Sequence, residues 1–403
     1  MFIWPSLNKP VFNTNFNGEY LLNGLTMKTF QTQWHDNHWA QSDKIEDLDS
    51  KQTLILIFGE IHLQPDAIAK MKSLSPNACI TGCSTAGEIQ GRQVNDDSLI
   101  ATIIAFEKTN ITMIRGVDKP DINSKELGVN LANQLNETDN LCHVLVLSDG
   151  LGFNASHLIE GMTDILGLDI QVSGGLAGDR HNFVKTHLLF NDEVTSSAVI
   201  AIGFYGEQLE VSCGTRGGWC SFGIERRVTQ AENNMLVELD DENALSIYKS
   251  YLGELAEQLP ASGLRFPLEI SEPNKITKVV RTLLAVDEET GTLTFAGNIP
   301  TGATAQLMRS NVESLIQGSL EAGKICRHNI SSSPQVAILI SCVGRKLVLK
   351  QLVEDEIEVI SEELGEQALL CGFYSYGEIA PYDRGCLAEL HNQTMTITAF
   401  AEI

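Results

Sequence analysis

The chain has no C-x-x-C pair and no C-x-x-C-H, although it carries nine cysteines. Structural zinc sites and covalently attached c-type haem are both disfavoured by that lack. The nine are an odd number, scattered and set in apolar stretches such as "NACITGC" and "AILISCVG". Free cysteines at such positions behave as small core residues, so a reducing cytoplasmic compartment is expected. No apolar run reaches the length needed to span a bilayer. The opening "MFIWPSLNKP" lacks a basic region followed by an apolar stretch, so no secretory signal is expected. Positive charge is scarce: 28 Lys and Arg stand against 52 Asp and Glu, a formal charge of -24. A surface that acidic repels DNA, RNA and anionic lipid, so neither nucleic acid nor membrane is expected as a partner.

What is present is enough chain, 403 residues at 43% hydrophobic, for two or three globular domains with a sizeable core. The first 45 or so residues have mixed polarity and no period, and read as an N-terminal extension. "TLILIFGE" is a buried strand, "PDAIAKMKSL" a helix opened by Pro65, "ACITGC" a second strand, and "SLIATIIAFE" and "ITMIRGV" two more. The pattern recurs in "HVLVLSDG", "SHLIEGMTDILG", "IQVSGGLAGD" and "AVIAIGFYG". It returns in "QVAILISC", "VEDEIEVISEEL", "ALLCGFYSYGEI" and "TMTITAF". Between the halves, "ELDDEN" marks a junction, "RTLLAVDEETGTLTFAG" a hairpin, and "SNVESLIQGSLEA" a helix with a capping box from Ser310 to Glu313. The expected fold is α/β: two packed domains built from repeated strand-helix-strand-strand units with mixed sheets. The boundaries fall at 46–235, internally duplicated, and 236–403, after an extension over 1–45.

The three strand-end turns align without gaps as "GCSTAGE" (82–88), "SGGLAGD" (173–179) and "GFYSYGE" (372–378). A glycine before an acid repeats: Gly87–Glu88, Gly178–Asp179 and Gly377–Glu378. The first turn has the spacing of a phosphate loop, but Glu88 stands where lysine should meet phosphate. It also approaches the G-x-S-x-G elbow around Ser84, yet no helix follows and the third copy has Tyr374 there. A hydrolase using Ser84 or Cys83 is therefore the lowest-ranked reading. A glycine turn allowing close backbone approach, with Glu88, Asp179 and Glu378 beside it, suits a ligand pocket or simply fixes the turn.

Taken together, "CSTAGEI", "GGLAGD", "GNIPTGATAQLM", "SCVGR", "GFYSYGEIAP" and "LHNQT" resemble the FIST sensory family from about residue 50 to the C-terminus. The resemblance implies a ligand-sensing module of bacterial signalling, not an enzyme. The chain carries no kinase or other output signature, so output is expected to pass to a separate protein. A stand-alone branch of the family binds b-type haem, senses nitric oxide and regulates a histidine kinase in trans, and this architecture is similar to it.

Haem held without covalent links needs an axial ligand, commonly histidine. His187, on an apolar strand just after the second glycine–acid turn, ranks first as iron ligand, ahead of His181 and His391 of "LHNQT". Arg345 of "SCVGR" is a candidate partner for a propionate or a ligand carboxylate, or else a structural salt bridge. Gly87, Glu88, Gly178, Asp179, Tyr374, Gly377, Glu378 and Asn392 are candidates for the pocket wall. The competing reading is a haem-free sensor of a small metabolite such as an amino acid, its ammonium on Glu88, Asp179 or Glu378 and its carboxylate on Arg345.

Overall fold

The computed structural model describes residues 27–117, 123–273, 275 and 277–403. The extension expected over 1–45 lies outside them as far as residue 26. Beyond it, Lys28–His35 is an inner strand of the first sheet, antiparallel to Leu99–Ala105.

Three units of one topology follow one another. Each runs strand, helix, strand, helix, strand, hairpin, strand. The first is Lys28–His35, Ser42–Asp47, Thr53–Gly59, Pro65–Leu74, Cys79–Cys83, the hairpin Glu88–Gln90 with Gln93–Asn95, and Leu99–Ala105. The second is Asn110–Val117, Ser124–Asn136, Leu141–Ser148, Ala155–Leu166, Gln171–Leu176, the hairpin Leu188–Phe190 with Glu193–Thr195, and Ala198–Tyr205. The third opens with Leu209–Arg216 and resumes after an insertion. It continues with Val312–His328, Val336–Cys342, Val343–Leu349 and Asp355–Leu364, Leu369–Ser375, the hairpin Glu378–Pro381 with Ala388–His391, and Met395–Glu402. The helix crossover makes the central strands of each unit parallel, while the short links make the later ones antiparallel, so the sheets are mixed as expected.

No unit keeps its own hairpin. That of the second unit extends the first sheet at Cys79–Cys83, that of the third extends the second sheet at Gln171–Leu176, and that of the first extends the third sheet at Leu369–Ser375. The exchange closes a ring. Strand residues alternate between two apolar faces, which gives the near-continuous hydrophobic runs of the sequence. One face, with Leu56, Leu147, Ile202, Ile340, Phe373 and Phe400, fills the centre of the ring; the other packs under the helices, as Ile57 does near Ile68 and Met71. Each such side chain contributes about 1.5–3 kcal/mol by leaving water.

The insertion is a nine-stranded antiparallel layer between residues 220 and 309, with its own core around Val228, Tyr248, Leu293, Phe295 and Leu307. The hairpin expected at "DEETG" is there, Leu283–Asp287 with Thr292–Phe295. The capping box is shifted by one residue: Asn311, not Ser310, caps Val312–His328, reciprocated by Ser314. The Asn311 amide oxygen satisfies the Ser314 N–H at 2.8 Å, a place Glu313 cannot fill from one position earlier.

Candidate functional site

The strand register aligns the three turns differently from an ungapped reading. Gly82, Gly174 and Gly372 face Ile57, Val146 and Leu339 on the parallel partner strands. A Cβ at any of them would collide with the partner's carbonyl. Four residues on, Ala86, Gly178 and Tyr376 each donate a backbone N–H into a neighbouring unit, to Tyr374, Ser84 and Leu176. The exchanged hairpins then place Ile89, Leu189 and Ile379 opposite the three glycines. Glu88 and Glu378 therefore correspond to Leu188, and Gly87 and Gly377 to His187. Asp179, matched to the two glutamates in the sequence, belongs instead to an extra loop, 179–186, found in the second unit alone.

Glu88 and Glu378 form equivalent locks. Each accepts from a hydroxyl three residues earlier, Thr85 and Ser375, both at 2.6 Å. Each also accepts an N–H and a hydroxyl from the start of its unit's last strand, Ser98 and Thr394. Thr85 thus has a counterpart in the third copy, Ser375, the residue that the ungapped alignment sets opposite it. Burial raises both carboxyls against these hydrogen bonds, Glu378 to about 7. Every carboxylate oxygen in the pair is engaged by the fold.

The seam between the first and second units has no such lock. His187 sits half-buried there, tied to Ser84 by its N–H to the serine oxygen and by its carbonyl to the serine N–H, both 2.9 Å. Its ring lies flat on His62 at 4.1 Å, and its Nδ1 is buried with no hydrogen-bond partner. Burial, then the neighbouring His62 and Lys185, lower its pKa to about 4, so the ring is neutral at physiological pH. The loop before it is wound on Asp179, which accepts from Phe183, Val184 and Lys185 N–H at 2.8, 2.8 and 2.9 Å. Tyr376 of the third unit also donates its hydroxyl to Asp179 and stacks on Phe183 at 4.2 Å. Thr186 donates to Asp149 at the end of the second unit's first central strand, and Arg180 pairs with Glu60 and Asp97. Next to these residues in the chain, Leu63, Leu151 and Val184 are exposed apolar side chains.

The other expected site residues lie elsewhere. His181 is exposed on the extra loop. His391 is buried in the third unit's hairpin, its Nε2 donating to the Ala380 carbonyl at 2.9 Å, and burial holds its pKa near 4. Asn392 bonds the His391 carbonyl and the Thr282 N–H. Arg345 is fully buried against Glu356 at 2.7 Å, and it also donates to the Leu315 and Gly217 carbonyls and to Ser319. Its structural reading is the one the geometry carries, since the guanidinium faces protein on every side. Tyr374 donates to the same Glu356 at 2.6 Å, under the Lys346 ammonium at 5.3 Å from its ring. Ser84 is taken up by His187, and Cys83 is buried with its thiol pushed well above the usual range by desolvation, so neither is poised as a nucleophile.

The sequence marks neither Asp149 nor Tyr376 as a site residue, and it suggests for His62, near a helix start, only a capping role. Aligning the strand ends on Ile57 and Val146 would have set Glu60 beside Asp149 and drawn attention to "GEIH". Nothing local marks Tyr376, because its contact crosses units.

A closed three-unit α/β ring with one seam altered is a scaffold with a single distinguished position. The chain belongs to the FIST family: the FIST N domain model matches residues 53–242 and the FIST C domain model residues 244–381. The two domains share the ring, and they make this a sensor-type signalling protein. An uncharacterized protein of Methanocaldococcus jannaschii is 25% identical over 80% of this chain and 67% of its own. Uncharacterized proteins of Mycobacterium bovis and Mycobacterium tuberculosis are each 26% identical over 59% of this chain. The chain spans 62% of the length of those mycobacterial relatives. A solved chorismatase is similar at a TM-score of 0.37 and 7% identity, over 93% of this chain and 98% of that one, a distance at which nothing about function follows. No helix among the described residues is long and apolar enough to cross a membrane.

Proposed function

We propose that the protein is a b-type haem sensor of nitric oxide that regulates a separate histidine kinase, with His187 as the iron ligand. The observation that carries this reading is the break in the ring's symmetry: a histidine replaces the glycine of the other two seams and keeps a buried ring nitrogen without a partner. Its neutral ring is the form that ligates metal. Exposed Leu63, Leu151 and Val184 offer apolar contact to a macrocycle edge. His391 has its Nε2 engaged and His181 stands in a polar loop, so they suit the role less well. Haem held by His187 would supply an iron able to bind a diatomic gas. The chain's own contribution is to couple His187 to the ring, through Ser84 into the first unit and through the Asp179–Tyr376 latch into the third. A kinase reads the signal only by binding the two states differently.

The test is the absorption spectrum of protein purified with haem supplied. A Soret band that shifts with nitric oxide and disappears in His187→Ala is expected. No band, or a band unchanged in His187→Ala, refutes the assignment. Glu60 and Asp149 at the same seam favour a second ligand class, a small amine such as an amino acid. In the locked seams Glu88 and Glu378 have no oxygen left to offer one. A thermal-shift screen of haem-free protein with amino acids separates the two readings.

A further inference from the structure

Away from the His187 seam, a groove of about 950 Å³ opens between the C-terminal end of Val312–His328 and the turn of the third unit's exchanged hairpin. Its charge is opposite to that of the molecule. Lys324, Arg327 and His328 line it from the helix, and Arg384 from the hairpin turn. Two acids share the lining, Glu363 and Asp383, but Asp383 is held by Arg216 at 2.7 Å, which itself stacks on Tyr382 at 4.2 Å. Lys324 is paired with Glu321 at 3.1 Å. Arg327 spends one nitrogen on the Ile330 carbonyl at 3.0 Å, and neither it nor Arg384 makes an ion pair among the described residues. Two guanidinium groups without an ion pair among the described residues thus line one groove, on a chain whose net charge is -24. Ile325 and Ile330 add an apolar share to the lining. The volume falls in the range of small-molecule sites.

We propose that this groove binds a small organic polyanion, its phosphate or carboxylate groups on Arg327 and Arg384 and its apolar part on Ile325 and Ile330. The site is independent of His187. Its occupant touches both the helix and the hairpin that the third unit lends to the second, so binding ties two units together.

Titration calorimetry with inorganic tripolyphosphate and with citrate, each at low and at raised sodium chloride, tests it. One saturable site that weakens with salt is expected, with affinity reduced about tenfold or more in Arg384→Ala and in Arg327→Gln. Exposed Lys70, replaced by alanine on a first-unit helix, is expected to leave affinity unchanged. Tripolyphosphate binding alone points to a phosphate ligand, and citrate binding alone to a carboxylate. Arg384 bonds to nothing among the described residues, so its variant tests the site even where Arg327→Gln disturbs the helix end. No saturable binding, or equal binding in Arg384→Ala, means diffuse surface attraction only and overturns the proposal.

Discussion

Replacing Arg345 by methionine distinguishes a fold-holding residue from a ligand-holding one. The guanidinium donates to Glu356 at 2.7 and 3.1 Å, to Ser319 at 2.7 Å and to the Leu315 carbonyl at 2.9 Å, all at zero exposure. Methionine leaves Glu356 as a buried charge served only by neutral donors: Tyr374 at 2.6 Å, Ser319 at 3.0 Å and Ser341 at 3.1 Å. Breaking a buried pair by removing one partner costs about 3–5 kcal/mol. Against a typical domain stability of about 5–15 kcal/mol, that is a large fraction. Arg345→Met with Glu356→Gln should recover about 2 kcal/mol relative to the single change, because the glutamine Oε1 still accepts from Tyr374 and Ser341 and its amide N–H can donate to the Ser319 hydroxyl. Equilibrium unfolding in guanidinium chloride of the four proteins measures all of this. A single-variant loss under about 1 kcal/mol, or a double variant no better than the sum of the singles, would refute the reasoning.

Glu378, held to about 7 by burial against an unfolded value near 4.5, stabilises the fold fully below about pH 4.5 and loses that contribution as pH rises through 7. Glu378→Gln should flatten this slope, worth about 3 kcal/mol, in unfolding measured from pH 5 to 8. His187 and His391, both lowered to about 4, act in the opposite sense: stability is whole above about pH 6.5 and falls as pH drops toward 4. Tyr376→Phe removes a hydroxyl from Asp179 and should lower hydrogen-exchange protection over residues 179–187 by about 1–2 kcal/mol without changing the melting of the ring. Gly372→Ala places a methyl against the Leu339 carbonyl at a φ of +150° and should cost about 3 kcal/mol, read by thermal unfolding; a loss under 1 kcal/mol would mean the parallel pair can spread.

The sequence carried the unit and hid the ring. Pro65 opening its helix, the buried run of Thr53–Gly59 and the "DEETG" turn are local signals, fixed by proline's φ, by alternation and by turn chemistry, and they fall where expected. The hairpin exchange has no local signature. Leu188 pairs with Cys83 rather than with its own unit, and nothing in either stretch says so. The same blindness set Asp179 beside Glu88 and Glu378. An ungapped alignment cannot register an extra loop, whereas three collisions of a missing Cβ with Ile57, Val146 and Leu339 can. Arg345 and Glu378 stood out as important residues, but their full engagement within the protein did not show, because it depends on partners far along the chain.

The two locks and the one open seam follow from joining three units in a single chain. A ring of identical subunits must carry the same residue at all three seams. A covalent ring is free of that constraint. Glu88 and Glu378 persist although burial works against their charge, which makes sense if each closes its seam by three hydrogen bonds. At the remaining seam Leu188 replaces the carboxylate with apolar packing, and His187 replaces a glycine whose φ of +140° at Gly87 tolerates few side chains. The position thereby gains a ring and loses a lock. Closure there depends on the 179–186 loop, held by Asp179 to the third unit and by Thr186 to Asp149. A loop latch of that kind opens at lower cost than a buried carboxylate, since its hydrogen bonds can pass to water. The seam proposed to hold the ligand is thus also the one closed by a loop latch instead of a buried carboxylate, a combination that suits a sensor.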